Sequence, residues 1–167
     1  MTNSLEENIH RKRKISSDLL IVFNLNKLPF LQYLDLSDCH GITDNDLLVI
    51  GRKYSTLKIL KINSSHYITG IGLTEFVELA ELHCMHCINL TNLNLIAFLR
   101  RFVFQLRYLD ISYCSMITES AINFLYDMLL MQTHLTNGYQ LHINMHGTAA
   151  KNISKTLAKS QFLHLTF

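Results

Sequence analysis

The sequence predicts an α/β solenoid in which a curved parallel sheet lines the concave face and helices cover the convex face. The first observation is a unit that recurs along the chain, with copies that begin at Leu31, Leu57, Leu79 and Leu106. The second is the pattern inside each copy, where an alternating apolar segment precedes apolar residues at helical spacing. One such unit cannot bury its apolar face alone, so we predict a stack of about five units over residues 31–167.

The composition fits one ordinary globular domain. The chain has 167 residues, of which 49% are apolar, so it can bury a core. A net charge of +2 gives no general attraction to nucleic acid or to an anionic membrane, and we expect neither as a partner. The sequence shows neither a secretory signal nor a membrane-spanning apolar run. We therefore expect a cytoplasmic or nuclear protein whose four cysteines are reduced.

The segment before the first unit divides into two parts. Residues 1–14 are predicted to form a flexible basic arm, and the run Arg11–Lys14 is interpreted either as a solvated arm or as a nuclear-import signal. Residues 15–30 are predicted to form a capping helix that begins near Asp18 and is stopped by Pro29. Such a helix covers the open end of a repeat stack.

Each unit carries the same sequence of residue classes. Apolar residues occupy the first, fourth and sixth positions, a small or thiol residue the ninth, and an aliphatic residue followed by Thr the twelfth and thirteenth. The alternating residues predict one buried face of a strand, and the Thr predicts the N-cap of a helix. The ninth positions are Cys39, Ser65, Cys87 and Cys114, and the thirteenth are Thr43, Thr69, Thr91 and Thr118.

A fifth, degenerate unit follows the turn signal at Asn137–Gly138. In it we assign Leu141 and Ile143 to the strand and His146 to the ninth position. The segment Phe162–Phe167 repeats the strand pattern once more. A final strand of this kind leaves an apolar edge, to which a partner or a second copy of the chain can pair.

These units resemble the cysteine-containing class of leucine-rich repeats, with the pattern LxxLxLxxCxxITDxxLxxIxxxCxxL. Residues 31–57 match it almost position by position, with Tyr54 in place of the second Cys. The resemblance covers residues 31–126 and, less completely, 138–167. It implies a leucine-rich-repeat solenoid of the kind found in F-box/leucine-rich-repeat proteins. In that family the repeats hold a substrate while an F-box binds the adaptor of an SCF ubiquitin ligase.

The resemblance stops short of the F-box itself, because none is recognisable in the residues before Leu31. It therefore implies a non-catalytic protein-interaction domain that recognises a ubiquitination substrate, while this chain alone is expected to form no stable complex with the adaptor. The alternative is a structural repeat scaffold in a larger assembly with no link to ubiquitin.

In such a solenoid the strand residues between the buried positions point out of the concave face, and they are the candidate partner-binding residues. The equivalent tyrosines Tyr33 and Tyr108 are typical interface anchors. The candidates are Tyr33, Asp35 and Ser37 in the first strand; Ile59, Lys61 and Asn63 in the second; Glu81, His83 and Met85 in the third; Tyr108, Asp110 and Ser112 in the fourth; Gln140, His142 and Asn144 in the fifth; and His164 and Thr166 in the last.

One segment admits a chemical interpretation. The run His83–Cys87 contains CxxC with two histidines, which is typical of half a zinc site. The repeat explains both cysteines, however, because Cys84 and Cys87 occupy the sixth and ninth positions of their unit. The sequence carries no nucleophile, phosphate-loop or paired-acid motif. We therefore predict no enzymatic activity, no metal and no cofactor.

Overall fold

Six short strands form one parallel sheet in the computed structural model, which describes residues 30–131, 139–150 and 162–167. Neighbours in the sheet are neighbours in the chain, from β1 to β6. The fold is thus α/β, as the alternating apolar pattern predicts, while the curvature of the solenoid stays a prediction. The predicted arm at 1–14 and the predicted helix at 15–30, apart from Phe30, lie outside the described residues. The strands are β1 (Tyr33–Asp35), β2 (Ile59–Lys61), β3 (Glu81–His83), β4 (Tyr108–Asp110), β5 (Leu141–Asn144) and β6 (Leu163–Thr166).

Helical segments follow the first four strands. They are α1 (Asp44–Lys53), a 3₁₀ helix (Ile71–Glu75), α2 (Asn92–Phe102) and α3 (Glu119–Met131). Thr43 caps α1 as predicted, because its hydroxyl oxygen accepts from the Asp46 amide and the Asp46 carboxylate accepts from the Thr43 amide at 2.8 Å. Thr91 accepts from the Asn94 amide at 3.2 Å in the same way.

The second unit has only one turn and a half of 3₁₀ helix, which packs directly against α1. A Cβ atom on Gly72 would lie 2.5 Å from the Asp44 carbonyl oxygen and 2.7 Å from the Leu47 Cβ. Glycine at this position therefore permits the close approach of the two elements.

The core lies between the sheet and the helical layer. The fourth-position residues Leu34, Leu60, Leu82 and Leu109 are at most 3% exposed. Behind them pack the helix residues that repeat at i and i+3, such as Leu47 and Ile50. The predicted apolar positions therefore build the core in the first four units.

A β-turn with the same geometry follows each of the first five strands. The ninth-position amide donates to the carbonyl of the sixth, as in Cys39 to Leu36 at 3.2 Å and Cys114 to Ile111 at 3.1 Å. The residue before the ninth position has a positive φ, which side chains adopt at some cost. These residues are Asp38, Ser64, His86, Tyr113 and Gly147.

The fifth unit is shifted by two residues from the predicted alignment. Strand pairing places Ile143 beside Leu109 and His142 beside Tyr108. The ninth position is therefore Thr148, whose amide donates to Met145 at 3.2 Å, and the assignment of His146 to it was wrong. Because strand side chains alternate with a period of two, the shift leaves the same residues on the same face.

Tyr139 gives the physical reason for this shift. Its ring is buried, and its hydroxyl oxygen lies 2.5 Å from the Val103 carbonyl oxygen and 2.9 Å from that of Leu106. The large side chain enters the core just before the strand. In the final strand Leu165 pairs with Ile143 and Phe162 is buried, as predicted, whereas Phe167, the last apolar residue of the predicted pattern, is 59% exposed.

Replacing Ser65 with Cys is expected to raise the free energy of unfolding by about 1 kcal/mol. The thiols of Cys87 and Cys114 each lie 3.1 Å from the sixth-position carbonyl oxygen of the preceding unit. The buried Ser65 hydroxyl has no partner among the described residues. A thiol is longer and more apolar, so it reaches further and costs less to bury. Urea denaturation measures the change. Cys114→Ser is the reverse control and is expected to be destabilising; a gain in stability there would contradict the explanation.

Candidate binding surface

Two rows of side chains cross the sheet on the side opposite the core, which we call the exposed face. Strand pairing aligns the members of each row from unit to unit, and each member is exposed or half-buried. The predicted candidates at these positions are therefore brought together on one surface. The first row contains Tyr33, Ile59, Glu81, Tyr108, His142 and His164, and the second contains Asp35, Lys61, His83, Asp110, Asn144 and Thr166.

Contacts between the two rows orient several of these side chains. The Lys61 ammonium lies 5.3 Å from the centre of the Tyr33 ring, within range of a cation–π interaction. The rings of His83 and Tyr108 are 4.8 Å apart. Burial, together with the nearby Asp110 carboxylate, raises the pKa of the Tyr108 hydroxyl, which therefore stays a neutral hydrogen-bonding group at physiological pH.

His142 and His164 form a stacked pair at the β5–β6 end of the face. Their ring centres are 4.6 Å apart and the rings are nearly parallel, at 13°. The pair arises because adjacent parallel strands place the same register position side by side.

The remaining candidates do not form a third exposed row. Ser112 was predicted to face a partner, but it is 2% exposed, and its hydroxyl donates to the Asp110 carboxylate at 2.6 Å. Ser37 is half-buried, whereas Met85 is 38% exposed. Asn63 is half-buried, and its side-chain oxygen accepts from the Met85 amide at 2.9 Å. Gln140 is exposed but precedes β5, so it is not the counterpart of Tyr108 that the sequence predicted.

A row of rings that the sequence reasoning missed runs along the turns after the strands; we call it the turn row. Successive ring centres are 6.1, 5.9, 6.4 and 5.2 Å apart. Every member lies within two residues of a ninth position, which is the signal that points to it. The turn row consists of His40, His66, His86, Tyr113 and His146.

The cysteines of the His83–Cys87 segment lie in the core, while its histidines lie outside. Cys84 and Cys87 are fully buried, and their thiols are 3.1 Å from the carbonyl oxygens of Asp110 and Ile62. His83 lies on the exposed face and His86 in the turn row, so the four side chains do not converge. In residues 30–131, 139–150 and 162–167, no three His, Cys, Asp or Glu side chains are grouped so as to hold a metal ion.

The environment of these thiols keeps them protonated. Burial raises the pKa of the Cys87 thiol to about 12. A hydrogen bond with the Cys114 thiol, reinforced by burial, raises the pKa of Cys84 well above its usual value. A protonated thiol is a weak metal ligand and a weak nucleophile, so these groups are suited to packing.

All four cysteines are expected to resist a disulfide-exchange reagent in the folded protein at about pH 8 and to react together on unfolding. All four are free and buried, and the raised pKa of Cys39, Cys84 and Cys87 leaves these three with little reactive thiolate. Absorbance of the released thiolate, with and without urea, measures both states. Rapid reaction of two thiols in the native protein would contradict the burial of Cys84 and Cys87.

Comparison with known proteins gives one match. None of the helices in the described part of the chain is long and apolar enough to cross a membrane. No curated protein matches the sequence. The family model described as Leucine Rich repeat matches residues 27–51, which contain β1, the first turn and most of α1. This match supports a leucine-rich-repeat protein, and repeats of this kind indicate a role in protein interaction.

Proposed function

We propose that the chain is a non-catalytic protein-binding domain and that the exposed face contacts the partner. The observation that carries the proposal is the alignment of two rows of side chains across six parallel strands. These positions vary from unit to unit, while the buried positions behind them keep one residue class. Variation on a constant framework allows specificity to differ without altering the fold.

The chemistry of the exposed face suits a protein partner. Tyr33 is 39% exposed and Tyr108 is half-buried; both present a large ring with a polar end, as interface anchors do. Lys61 lies in register between Asp35 and His83, and Glu81 precedes His83 by two residues in β3, so the charges have mixed sign. A phosphate backbone favours a surface of uniform positive charge. The predicted curvature would place this face on the concave side and let it surround a partner.

In finer terms, we propose substrate recognition in an SCF-type ubiquitin-ligase context, in the cytoplasm or nucleus. Support comes from the resemblance of residues 31–57 to the cysteine-containing repeats of F-box/leucine-rich-repeat proteins. The buried thiols at ninth positions, with the N-cap Thr four residues on, agree with that resemblance. The alternative is a structural repeat scaffold in a larger assembly with no link to ubiquitin.

Affinity purification from cells with matched variants tests the proposal. The face variant Tyr33→Ala/Tyr108→Ala removes both anchors. The control Val49→Ala/Leu93→Ala removes two exposed apolar side chains of α1 and α2, on the helical side. We expect the face variant to lose bound proteins that the wild type and the control retain, with all three equally folded by circular dichroism. Equal binding by all three would overturn the assignment of the exposed face.

The same purification distinguishes substrate recognition from the structural scaffold. Ubiquitin-ligase components that co-purify with the wild type, and a bound protein that accumulates when the chain is depleted, are expected for substrate recognition. A fixed assembly that contains no ubiquitin components and whose members do not accumulate would instead establish the scaffold.

A further inference from the structure

All seven histidines in the described part of the chain lie on one continuous surface. The described helical segments contain none. The surface combines the exposed face with the turn row, which lies just beyond the ends of the same strands. The histidines are His83, His142 and His164 on the strands, and His40, His66, His86 and His146 in the turns.

The permanent charges on this surface are few. Asp38 is the one charged residue in the turn segments 37–43, 63–69, 85–91, 112–118 and 146–150. The strands add Asp35, Lys61, Glu81 and Asp110, so four carboxylates and one ammonium give a charge of −3. Protonation of all seven imidazoles would change this charge to +4. The sign of the surface therefore reverses when its histidines take up protons.

The neighbours of the histidines determine what stabilises the charged form. His83 has the Glu81 carboxylate 3.5 Å away and stands in register between Lys61 and Asp110. The ring centres of His142 and His164 are 4.6 Å apart, and the Tyr108 hydroxyl in the strand beside His142 is neutral. Two stacked imidazolium rings repel each other, and an anion beside them offsets this repulsion. A bound carboxylate therefore favours their protonation, and by linkage their protonation favours its binding.

The histidines of the turn row likewise have imidazole or aromatic rings as their nearest side-chain neighbours. His66 stands between His40 and His86, and His146 contacts Tyr113, so each ring has an aromatic or imidazole neighbour. The one carboxylate in these turn segments belongs to Asp38, two residues before His40 in the chain. Its exposed rings, His40, His86 and His146, therefore offer protonatable donors with little internal negative charge to neutralise them, whereas the Nε2 atom of His66 is buried without a partner among the described residues.

We propose that this surface binds a carboxylate-rich segment of a partner protein, tightly below about pH 6 and weakly above about pH 7.5, the range over which histidine side chains change charge. The inference rests on the proposed protein-binding function and adds the chemistry of the partner and its control by pH.

Fluorescence anisotropy with a labelled oligo-glutamate of about ten residues tests the proposal, because glutamate stays ionised at about pH 5.5. We expect the wild type to bind this probe about tenfold more tightly at about pH 5.5 than at about pH 7.5, at constant low ionic strength. Affinity that does not change between the two values would overturn the proposal. So would a labelled oligothymidine of similar length that binds as tightly as the peptide at the lower pH.

Two matched double variants locate the binding. His142→Gln/His164→Gln removes the stacked pair, and Arg100→Gln/Arg101→Gln removes two cationic groups from α2 on the helical side. The histidine variant is expected to lose most of the tenfold difference with pH, while the arginine variant keeps it. The reverse result would assign the effect to general charge and overturn the proposal. Purification at neutral pH with the tyrosine variants remains an independent readout, so failure of the acidic peptide is distinguishable from failure of the protein-binding function.

Discussion

Replacing Cys114 with Asp is expected to abolish cooperative folding or to lower the free energy of unfolding by about 5 kcal/mol, a large share of the stability of a typical domain. The Cys114 side chain is fully buried, and its thiol lies 3.1 Å from the Cys84 carbonyl oxygen. A carboxylate there would lose its hydration and face a carbonyl oxygen, which repels it. Circular dichroism during urea denaturation measures the loss.

Two companion variants separate charge from volume. Cys114→Ala removes the thiol without adding a charge and is expected to cost about 1–2 kcal/mol, in the lower range for truncating a buried side chain. Ser115→Asp places the same carboxylate on the exposed next residue and is expected to change stability little. If Cys114→Asp and Cys114→Ala unfold at the same urea concentration, the ninth position does not face the core.

The agreement between sequence and structure is closest where one residue class must be repeated. Leu34, Leu60, Leu82 and Leu109 align in the sheet because only an apolar residue can occupy a site enclosed by two neighbouring units. The fifth unit was misaligned because Tyr139 and Leu141 take over part of the burial. Alternation alone cannot detect a shift of two, since it preserves which residues face the core.

The candidate surface could be predicted only in part. Its two strand rows follow from alternation, which fixes the direction of each side chain. Ser112 was misplaced because β4 ends at Asp110, so strand alternation no longer fixes the direction of the Ser112 side chain; in the turn its amide and hydroxyl both donate to the Asp110 carboxylate. The turn row was missed because its members occupy different positions in their units: His40 follows a ninth position, while His86 precedes one. The turns bring together rings that do not align in the sequence.

Replacing Asp44 with Ala is expected to lower the free energy of unfolding by about 3 kcal/mol, because hydrogen bonds to a charged group are stronger than neutral ones. One carboxylate oxygen accepts from the Thr69 amide at 2.9 Å and its hydroxyl at 2.8 Å. The other accepts from the amides of Gly70 at 3.2 Å and Gly72 at 3.0 Å. Asp44 also lies in the first turn of α1, where the helix dipole favours a negative charge. Alanine would leave three backbone donors of the second unit without this acceptor.

Two further variants isolate the contribution of the carboxylate. Asp44→Asn keeps the shape and one acceptor oxygen but turns an NH₂ group toward either pair of donors, so an intermediate loss is expected. Asn45→Ala, on the exposed side of the same helical turn, is expected to be nearly neutral. Hydrogen exchange then tests the location of the effect: in Asp44→Ala the amides of Thr69, Gly70 and Gly72 should lose protection, while those of α2 keep theirs. Uniform loss across the chain would contradict a local bond between the first two units.

Asn92 holds the same place in the third unit, where its side-chain oxygen accepts from the Thr118 amide at 3.0 Å. A local role at Asp44 therefore predicts that Asn92→Ala weakens the junction between the third and fourth units.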